Sequence, residues 1–313
     1  MIEPREIGPN VDVAPTPSRE RRVDARAVIP GEPGVRDVEV FDARATVNER
    51  ADVITAENST FRYLTFSRHR LVPDADGYRP ADVSLAADEE ALIYVNRGAA
   101  DVAVDGERHT LGRGDVVYLP IGGSAEIAAA GDFADVSEFR ARDCHTTYPV
   151  QLVRHKAIEG TKLAADLGSK RPMTVRTVFK IVDNNVAACR LLFGNTYVAG
   201  PGSVGSYPPH FHGPEGDFGL GPDAKEEIYH FRCASELEND TPFVLQNCAR
   251  PGEDVNAYVH IFDEQAINVT PSYHDTIAPP AVDFMFTWCL CSYTENNRDW
   301  SRIHNRPGFE GEW

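Results

Sequence analysis

The stretch Ser206-Tyr-Pro-Pro-His210-Phe-His212 decides how the rest of the sequence is interpreted, together with the strand-like run Lys225-Glu-Glu-Ile-Tyr-His-Phe that follows it. His210 and His212 are two residues apart, so in a β-strand both imidazoles would point to the same face. Glu227 lies near the start of the second run, which is also expected to be a strand. Two imidazoles and a carboxylate that converge form a ligand set suited to a divalent transition metal.

A fourth ligand is offered by His274, in Thr-Pro-Ser-Tyr-His, just after an expected strand end. Surface histidines, a solvated acidic pair and a turn-capping histidine would explain the same residues one by one, but the order of the motifs favours a metal site. Glu215 and Asp217, in the glycine-rich loop after His212, are alternative carboxylate ligands. Glu227 is preferred because a strand fixes the direction of a side chain better than a loop does. The predicted metal ligands are therefore His210, His212, Glu227 and His274.

The composition limits the classes of partner. The formal net charge of −17 makes nucleic acid and anionic membranes poor partners. A small anionic substrate remains compatible with this charge, because it needs only a local basic cluster. The basic residues are 26 arginines and only 5 lysines. A hydrophobic share of 42% supplies enough apolar side chains for a large core.

The six cysteines form no Cys-x-x-Cys pair, and several lie in apolar runs such as Phe286-Thr-Trp-Cys-Leu-Cys. A free cysteine in such a run behaves as a small hydrophobic residue, so buried thiols are expected. The sequence shows no signal peptide and no long apolar segment. We therefore expect a cytoplasmic, reduced protein without a membrane partner.

Short β-type runs separated by turn sequences follow an irregular N-terminal arm, residues 1–37, that is rich in proline and charge. Asp105-Gly106, between two alternating runs, predicts a hairpin. The pattern predicts strands in a sandwich or barrel, at Phe61–Phe66, Ala91–Val95, Ala100–Val104 and Asp115–Leu119. A connector with a weakly helical stretch, Ala157–Leu167, leads to a second strand series that begins at Thr174.

The two halves share a motif: Gly112-x-Gly-Asp-Val-Val-Tyr-Leu-Pro120 corresponds to Asp263-x-x-x-Ile-Asn-Val-Thr-Pro271. The first half offers no His-x-His and no counterpart of His274. We therefore predict a metal-free N-terminal domain at 38–150 and a metal-binding C-terminal domain at 151–313. The interior of the first half is expected to be apolar, filled by side chains such as Leu92, Tyr94 and Val104.

These motifs resemble the cupin fold and, more narrowly, the family of 5-deoxy-glucuronate isomerase and 5-keto-4-deoxyuronate isomerase. The matching pieces are Ser206-Tyr-Pro-Pro-His-x-His, Glu226-Glu-Ile-Tyr, Ser272-Tyr-His274 and Val102-Ala-Val-Asp-Gly-Glu-Arg with Tyr118-Leu-Pro. The resemblance implies an all-β bicupin, two cupin-type β-barrels or jelly rolls, with the same four ligands. It also implies a divalent metal, zinc first, with manganese, iron or nickel as alternatives.

By the same resemblance the chain is expected to be an aldose–ketose isomerase of a deoxy-uronate. We also expect a homo-oligomer. The expected reaction converts 5-deoxy-glucuronate to 5-dehydro-2-deoxy-gluconate, in inositol catabolism. Three positions depart from the inositol family's pattern: Phe211, Gly213 and His230. They flank the expected pocket, so the substrate follows less directly than the fold.

Such a reaction needs a proton-transfer group and a partner for the substrate carboxylate. The sequence does not single out the base. Tyr229 shares the expected face of Glu227, and His260 shares a strand face with Tyr258, so Tyr229 and His260 are the candidates. Arg176, on the strand face that also carries Lys180, is the candidate for the carboxylate, since an arginine can bind it with two parallel hydrogen bonds. A solvent-facing arginine at a strand edge is the alternative.

Two hypotheses from other classes compete with the isomerase. Three histidines and a glutamate also hold iron in cupin dioxygenases, which metal analysis and an oxygen-uptake assay would identify. The other hypothesis is a non-catalytic, sugar-binding bicupin, which would hold little metal and turn over no uronate.

Overall fold

The computed structural model describes residues 38–74, 79–213, 221–249, 256–269, 272–299 and 303–311. The predicted arm at 1–37 lies outside these residues. Within them, regular structure is almost entirely antiparallel β-strand, and the one α-helix is the single turn α1, His155–Ile158. The prediction of an all-β chain is confirmed.

The N-terminal half and the connector contain ten strands: β1 Val40–Asp42, β2 Arg50–Ile54, β3 Leu64–Leu71, β4 Ala81–Ser84, β5 Glu90–Val104, β6 Glu107–Gly112, β7 Val116–Leu119, β8 Ser124–Ala141, β9 Gln151–Val153 and β10 Ala164–Leu167. Strands β2 to β9 form one sheet in the order β2-β3-β8-β5-β7-β9, with β4 paired to β8 and β6 paired to β5. The long strands β5 and β8 run through the whole half and hold it together.

The C-terminal half contains the strands β11 Arg176–Val182, β12 Leu191–Val198, β13 Val204–His212, β14 Lys225–Ser235, β15 Phe243–Ala249, β16 Asn256–Phe262, β17 Gln265–Val269, β18 Tyr273–Ile277, β19 Val282–Ser292 and β20 Ile303–Asn305. Seven strands form one sheet, β1-β17-β14-β19-β12-β11-β10. Five strands form the facing sheet, β16-β15-β18-β13-β20.

Three apolar clusters hold these sheets together. One lies inside the first half and includes Val102 and Val117. A second lies between the two sheets of the C-terminal half and includes Phe231 and Val259. The third joins the halves, where Phe139 of the first half meets Phe193 of the second with ring centroids 5.3 Å apart.

Two short strands are exchanged across residue 150, the boundary predicted from sequence. Strand β1, near the N-terminus of the described chain, pairs with β17 in the C-terminal half. Strand β9 pairs with β7 in the N-terminal half. This exchange links the two halves through backbone hydrogen bonds. The division into domains at 1–37, 38–150 and 151–313 stays a prediction.

Several local predictions can be compared with the strands. Asp105 and Gly106 have positive φ values of 53° and 78° and form the turn of the β5–β6 hairpin, as expected. The runs at 91–95 and 100–104 belong to one strand, β5, whose register against β8 shifts next to Gly98. A Cβ at Gly98 would lie 2.2 Å from the Phe133 carbonyl oxygen, so strands β5 and β8 can approach each other this closely only where β5 has a glycine.

Two predictions need correction. The stretch expected to be helical, Ala157–Leu167, contains only the end of α1, and its last residues form β10. Leu92 and Tyr94 do not fill the interior of the first half, because the other face of β5, with Ile93, points there. Leu92 and Tyr94 pack against the C-terminal half, and Val104 lies inside as expected.

All six cysteines are free and buried, which confirms the expectation drawn from their apolar surroundings. The described part of the chain contains no helix long and apolar enough to cross a membrane.

Candidate metal centre

Strands β13, β18 and β14 bring together the four predicted ligands. His210 and His274 lie directly opposite each other on the antiparallel strands β13 and β18. His212 is two residues further along β13 and therefore points the same way. Their ring nitrogens form a group of potential ligand atoms that all lie within 4.8 Å of one another. The convergence predicted from the His-x-His spacing is present in the structure.

Backbone carbonyls orient two of the imidazoles. His210 Nδ1 lies 2.7 Å from the carbonyl oxygen of Pro208, and His274 Nδ1 lies 3.1 Å from that of Ser272. A carbonyl can only accept, so each Nδ1 carries the proton and each Nε2 offers its lone pair to the cluster. This arrangement, in which the second ring nitrogen is tied by an outer partner, is the usual one for metal-binding histidines.

Glu227 completes the cluster from β14. One carboxylate oxygen lies 3.8 Å from His212 Nε2, and the other lies 3.5 Å from His274 Nε2. The alternative ligands, Glu215 and Asp217, lie outside the described residues. The neighbouring Glu226 is not part of the cluster, because its carboxylate binds backbone N–H groups of the N-terminal half.

Burial sets the protonation of the cluster. It lowers the pKa of His210 to about 4 and the pKa of His274 to about 3, and it lowers the pKa of His212 well below its ordinary value. Burial also raises the pKa of Glu227 well above its ordinary value. Three neutral imidazoles beside a buried carboxylate are the donor set that a divalent cation requires. The residues therefore fit a metal ion.

A cavity of about 380 Å³ opens onto this cluster. Strand β11 supplies Arg176, Val178 and Lys180 to its wall, as their alternate spacing predicts. Trp288 and Phe286 of β19 supply apolar surface on the wall. A mostly apolar cavity with a few convergent polar groups is typical of a site for a small molecule.

Arg176 is the cation of this cavity that is most completely buried, with 3% of its surface exposed. Its Nη1 donates to the Thr174 carbonyl oxygen at 3.0 Å, and its Nη2 donates to the carbonyl oxygen of Tyr207. Within the described chain no carboxylate pairs with Arg176, and burial lowers its pKa to about 10. A buried guanidinium without an acidic partner is costly unless an anion binds to it.

Tyr229 also lines the cavity, next to the ligands. Its hydroxyl lies 2.9 Å from His274 Nε2 and 3.1 Å from Ser206 Oγ. Burial raises the pKa of Tyr229, so the phenol stays protonated and can act as a hydrogen-bond donor.

The structure does not bring the other candidate base to the cavity. His260 is exposed on the outer face of β16, where its ring packs at a tilt against Phe243 with ring centroids 5.2 Å apart. Tyr258, on the same face, is 52% exposed. The alternate residues Val259 and Ile261 point into the core instead, because burying aliphatic side chains is more favourable than burying a tyrosine and a histidine. The prediction that His260 is catalytic is therefore corrected.

The first half has no comparable cluster at the equivalent place in the described residues. Ala91 pairs with Leu119 there, as Glu227 pairs with Val269 in the second half. The strands correspond, but alanine stands where the carboxylate ligand would be. That the first half binds no metal stays a prediction.

Lys180 also lines the cavity, on the face of β11 that carries Arg176. The sequence pattern places it there but assigns it no function. The scarcity of lysine, 5 against 26 arginines, is the feature that could have drawn attention to it.

Comparisons with known proteins identify the family and agree with the fold. The model of the KduI/IolB family matches residues 41–310. A relative from Cereibacter sphaeroides, named 4-deoxy-L-threo-5-hexosulose-uronate ketol-isomerase, is 30% identical over 175 residues, which cover 55% of this chain and 61% of the relative. The match thus spans about three-fifths of that relative's length.

Two solved structures share the fold. An IolB-like protein from Salmonella typhimurium LT2 superposes with a TM-score of 0.69 and 18% identity, over 88% of this chain and 98% of the other. The oxalate decarboxylase from Lactobacillus farciminis gives a TM-score of 0.56 and 11% identity, over 89% of this chain and 90% of the other. These likenesses confirm the predicted bicupin fold.

Proposed function

Because the chain belongs to the KduI/IolB family, we propose that it is a metal-dependent aldose–ketose isomerase that acts on a deoxy-uronate. One observation carries this proposal: the predicted ligand cluster and the buried Arg176 line the same cavity. A cation site and an isolated guanidinium are the two features needed to bind the reacting oxygens and the carboxylate of one small sugar acid.

His210, His212, Glu227 and His274 would hold the divalent cation, with zinc proposed first and manganese, iron or nickel as alternatives. When bound, the cation would supply Lewis-acid stabilisation of the negative charge that develops on the substrate oxygens. The carbonyls of Pro208 and Ser272 keep the two tied imidazoles in the tautomer that can bind it.

Arg176 would bind the substrate carboxylate. Its side chain is held in place by two backbone carbonyls, which leaves its position fixed before the substrate arrives. A preorganised guanidinium loses little entropy on binding an anion. The negative charge of a uronate would also compensate the burial of this cation, which a neutral sugar would not do.

Tyr229 would donate a hydrogen bond to a substrate oxygen. Its hydroxyl lies between Ser206 and the ligand cluster and stays protonated because of its burial. A fixed donor at the point where charge develops on oxygen stabilises the transition state more than the ground state.

Two deoxy-uronates are candidates for the substrate. The motif Ser206-Tyr-Pro-Pro-His-x-His supports 5-deoxy-glucuronate, with 5-dehydro-2-deoxy-gluconate as the product. The name of the sequence relative supports 4-deoxy-L-threo-5-hexosulose uronate as the second candidate. Both substrates present an aldehyde next to a hydroxyl-bearing carbon, and both carry a carboxylate at the far end. The same cavity would therefore use the same chemistry on either.

The test is to measure turnover of both compounds by the purified full-length protein, together with its metal content and oxygen uptake. Isomerisation of either compound without oxygen uptake supports the proposal, and the ratio of the two kcat/KM values identifies the substrate. Oxygen consumption with bound iron would instead support a dioxygenase. A protein that holds little metal and isomerises neither compound would be a non-catalytic sugar-binding bicupin, and the proposal would fail.

A further inference from the structure

Lysine is used in this chain in an unusual way. Arginines outnumber lysines 26 to 5, yet Lys162 and Lys180 both line the cavity of the candidate metal centre. Arginine would serve as well or better for binding a carboxylate. A lysine in such a place offers one property that arginine lacks, which is an amine that can lose and regain a proton.

Lys180 differs from Lys162 in its surroundings. Lys162 is exposed at the rim of the cavity, whereas Lys180 is half-buried on β11. Burial lowers the pKa of Lys180, which the negative charge of Asp183 only partly offsets. A lowered pKa increases the share of neutral amine, the form that can accept a proton.

Arg176 and Lys180 lie four residues apart on one face of β11, and both line the cavity of the candidate metal centre. Four residues of a strand span about 13 Å between Cα atoms, so the two side chains stand at separate places along the cavity wall. A uronate with its carboxylate at Arg176 would lie along β11, and its reacting end would lie toward Lys180.

The other titratable groups that line the described cavity have different roles. His210, His212 and Glu227 belong to the ligand cluster, and the hydroxyl of Tyr229 contacts His274 Nε2 at 2.9 Å and Ser206 Oγ at 3.1 Å. We propose, on the basis of the proposed isomerase function, that Lys180 is the catalytic residue that carries the proton between the two reacting carbons.

The proton transfer balances without a co-reactant. The neutral amine of Lys180 takes the proton from the hydroxyl-bearing carbon next to the aldehyde. The electron pair of that C–H bond forms the carbon–carbon double bond of the enediolate, and the carbonyl pair moves onto its oxygen. The proton of the hydroxyl moves to that oxygen, the ketone forms, and the ammonium of Lys180 returns its proton to the former aldehyde carbon. The amine is then neutral again.

Two variants separate this role from an electrostatic one. Lys180→Arg keeps the positive charge but cannot accept a proton at neutral pH. Lys180→Ala removes the amine and leaves space for a small one. The matched control is Lys170→Arg, because Lys170 is exposed and its ammonium donates to the Gly311 carbonyl at 2.6 Å.

We expect Lys180→Arg and Lys180→Ala to lower kcat by about 10²–10⁴-fold on the better of the two uronates, while KM and metal content change little. Both variants should also lose the exchange of substrate carbon-bound hydrogen with D₂O. Added methylamine or ethylamine should restore part of the activity of Lys180→Ala, and Lys170→Arg should resemble the wild type.

Lys180→Arg with a kcat within threefold of the wild type would overturn the assignment and leave the isomerase function standing. A Lys180→Ala variant that is inactive and not rescued, but keeps full D₂O exchange, would also overturn it. Absence of turnover by the wild-type protein would overturn the proposed function itself, and the role of Lys180 with it.

Discussion

Glu90 and Glu226 occupy equivalent positions in the two halves, and each carboxylate binds the backbone of the opposite half. Glu226 accepts hydrogen bonds from the N–H groups of Arg62, Tyr63 and Leu64. Glu90 accepts them from Cys189, Arg190 and Leu191. The two sets correspond in the sheets, because Ala141 pairs with both Glu90 and Leu64, as Cys291 pairs with both Glu226 and Leu191.

This reciprocal contact connects the junction between the halves with the candidate metal centre. Glu226 is adjacent to the ligand Glu227 on β14, and alternate residues of a strand point to opposite faces. One acidic residue therefore fixes the strand against the N-terminal half, while the next faces the cavity. The N-terminal half therefore has a structural role in this arrangement, which is to hold the strand that carries Glu227 in place.

The first prediction concerns the stability of the junction. Glu226→Gln and Glu90→Gln should each lower the free energy of unfolding by roughly 2–4 kcal/mol, because an amide offers one oxygen where a carboxylate offers two. Urea unfolding of both variants measures the change. Glu107→Gln is the control, since the side chain of Glu107 is 79% exposed. Unchanged stability in both junction variants would contradict the contact.

A second prediction concerns the metal ligands. His212→Ala should release the metal and abolish turnover, because the three remaining ligands, His210, Glu227 and His274, cannot hold the cation as tightly. Metal content by mass spectrometry and far-ultraviolet circular dichroism check the loss and the retained fold. His145→Ala is the control, since the side chain of His145 is 70% exposed. Full metal content in His212→Ala would refute the ligand set.

The third prediction concerns Tyr229. Tyr229→Phe should lower kcat by about 10–100-fold and leave metal content unchanged, because it removes one hydrogen-bond donor and keeps the ring that packs against Phe286 at 4.6 Å. Steady-state kinetics and metal analysis on the same preparation measure the change in kcat and the metal content of the variant. A parallel loss of metal would show that the hydroxyl supports His274 instead of the substrate.

The sequence was sufficient to predict that His210 and His212 share a face, because residues two apart on a strand point the same way. The expectation that Glu227 and His274 join them depended on the order of the motifs and on the family resemblance. The sequence was not sufficient for β8, whose alanine-rich run Ser124–Ala141 contains only two β-branched residues, Ile127 and Val136, and becomes a strand through pairing with β3 and β5. Nor could it reveal the role of Glu226, because its partners lie more than 160 residues away. Long-range pairing of this kind leaves no local pattern.

A fourth prediction concerns acid stability. Burial alone would raise the pKa of Glu138, but a hydrogen bond from His69 and the charges of Arg140 and Arg50 lower it to about 2. His69 Nε2 lies 2.7 Å from the Glu138 carboxylate. Because the folded pKa lies below the ordinary value of 4.5, this carboxylate stabilises the fold above pH 4.5, and the contribution is lost as the pH falls toward 2.

Glu138→Gln should therefore remove up to about 3 kcal/mol of unfolding free energy at pH 7. The difference between wild type and variant should shrink between pH 4.5 and pH 2. Urea unfolding across this pH range tests the change, with Glu107→Gln as the exposed control. A difference that is independent of pH would show that packing, not charge, accounts for the effect.

The last prediction concerns Arg176 and the substrate carboxylate. Lysine at this position keeps the charge but loses the planar pair of donors, so Arg176→Lys should weaken transition-state binding by about 1.5–3 kcal/mol. That corresponds to a loss of about ten- to a hundredfold in kcat/KM. Metal content should not change, because Arg176 donates to the backbone of Thr174 and Tyr207 and not to a ligand side chain.

The control is Arg44→Lys, since Arg44 forms a surface ion pair with Asp42. A sharper comparison uses a substrate analogue in which the carboxylate is replaced by a neutral primary amide. If Arg176 binds the carboxylate, Arg176→Lys and the wild type should differ much less on the amide than on the uronate. An equal loss on both compounds would mean that the variant has moved the ligand-bearing strand β13 through Tyr207. Unaltered kinetics on the uronate would remove Arg176 from the site, and the buried guanidinium would then need another anion.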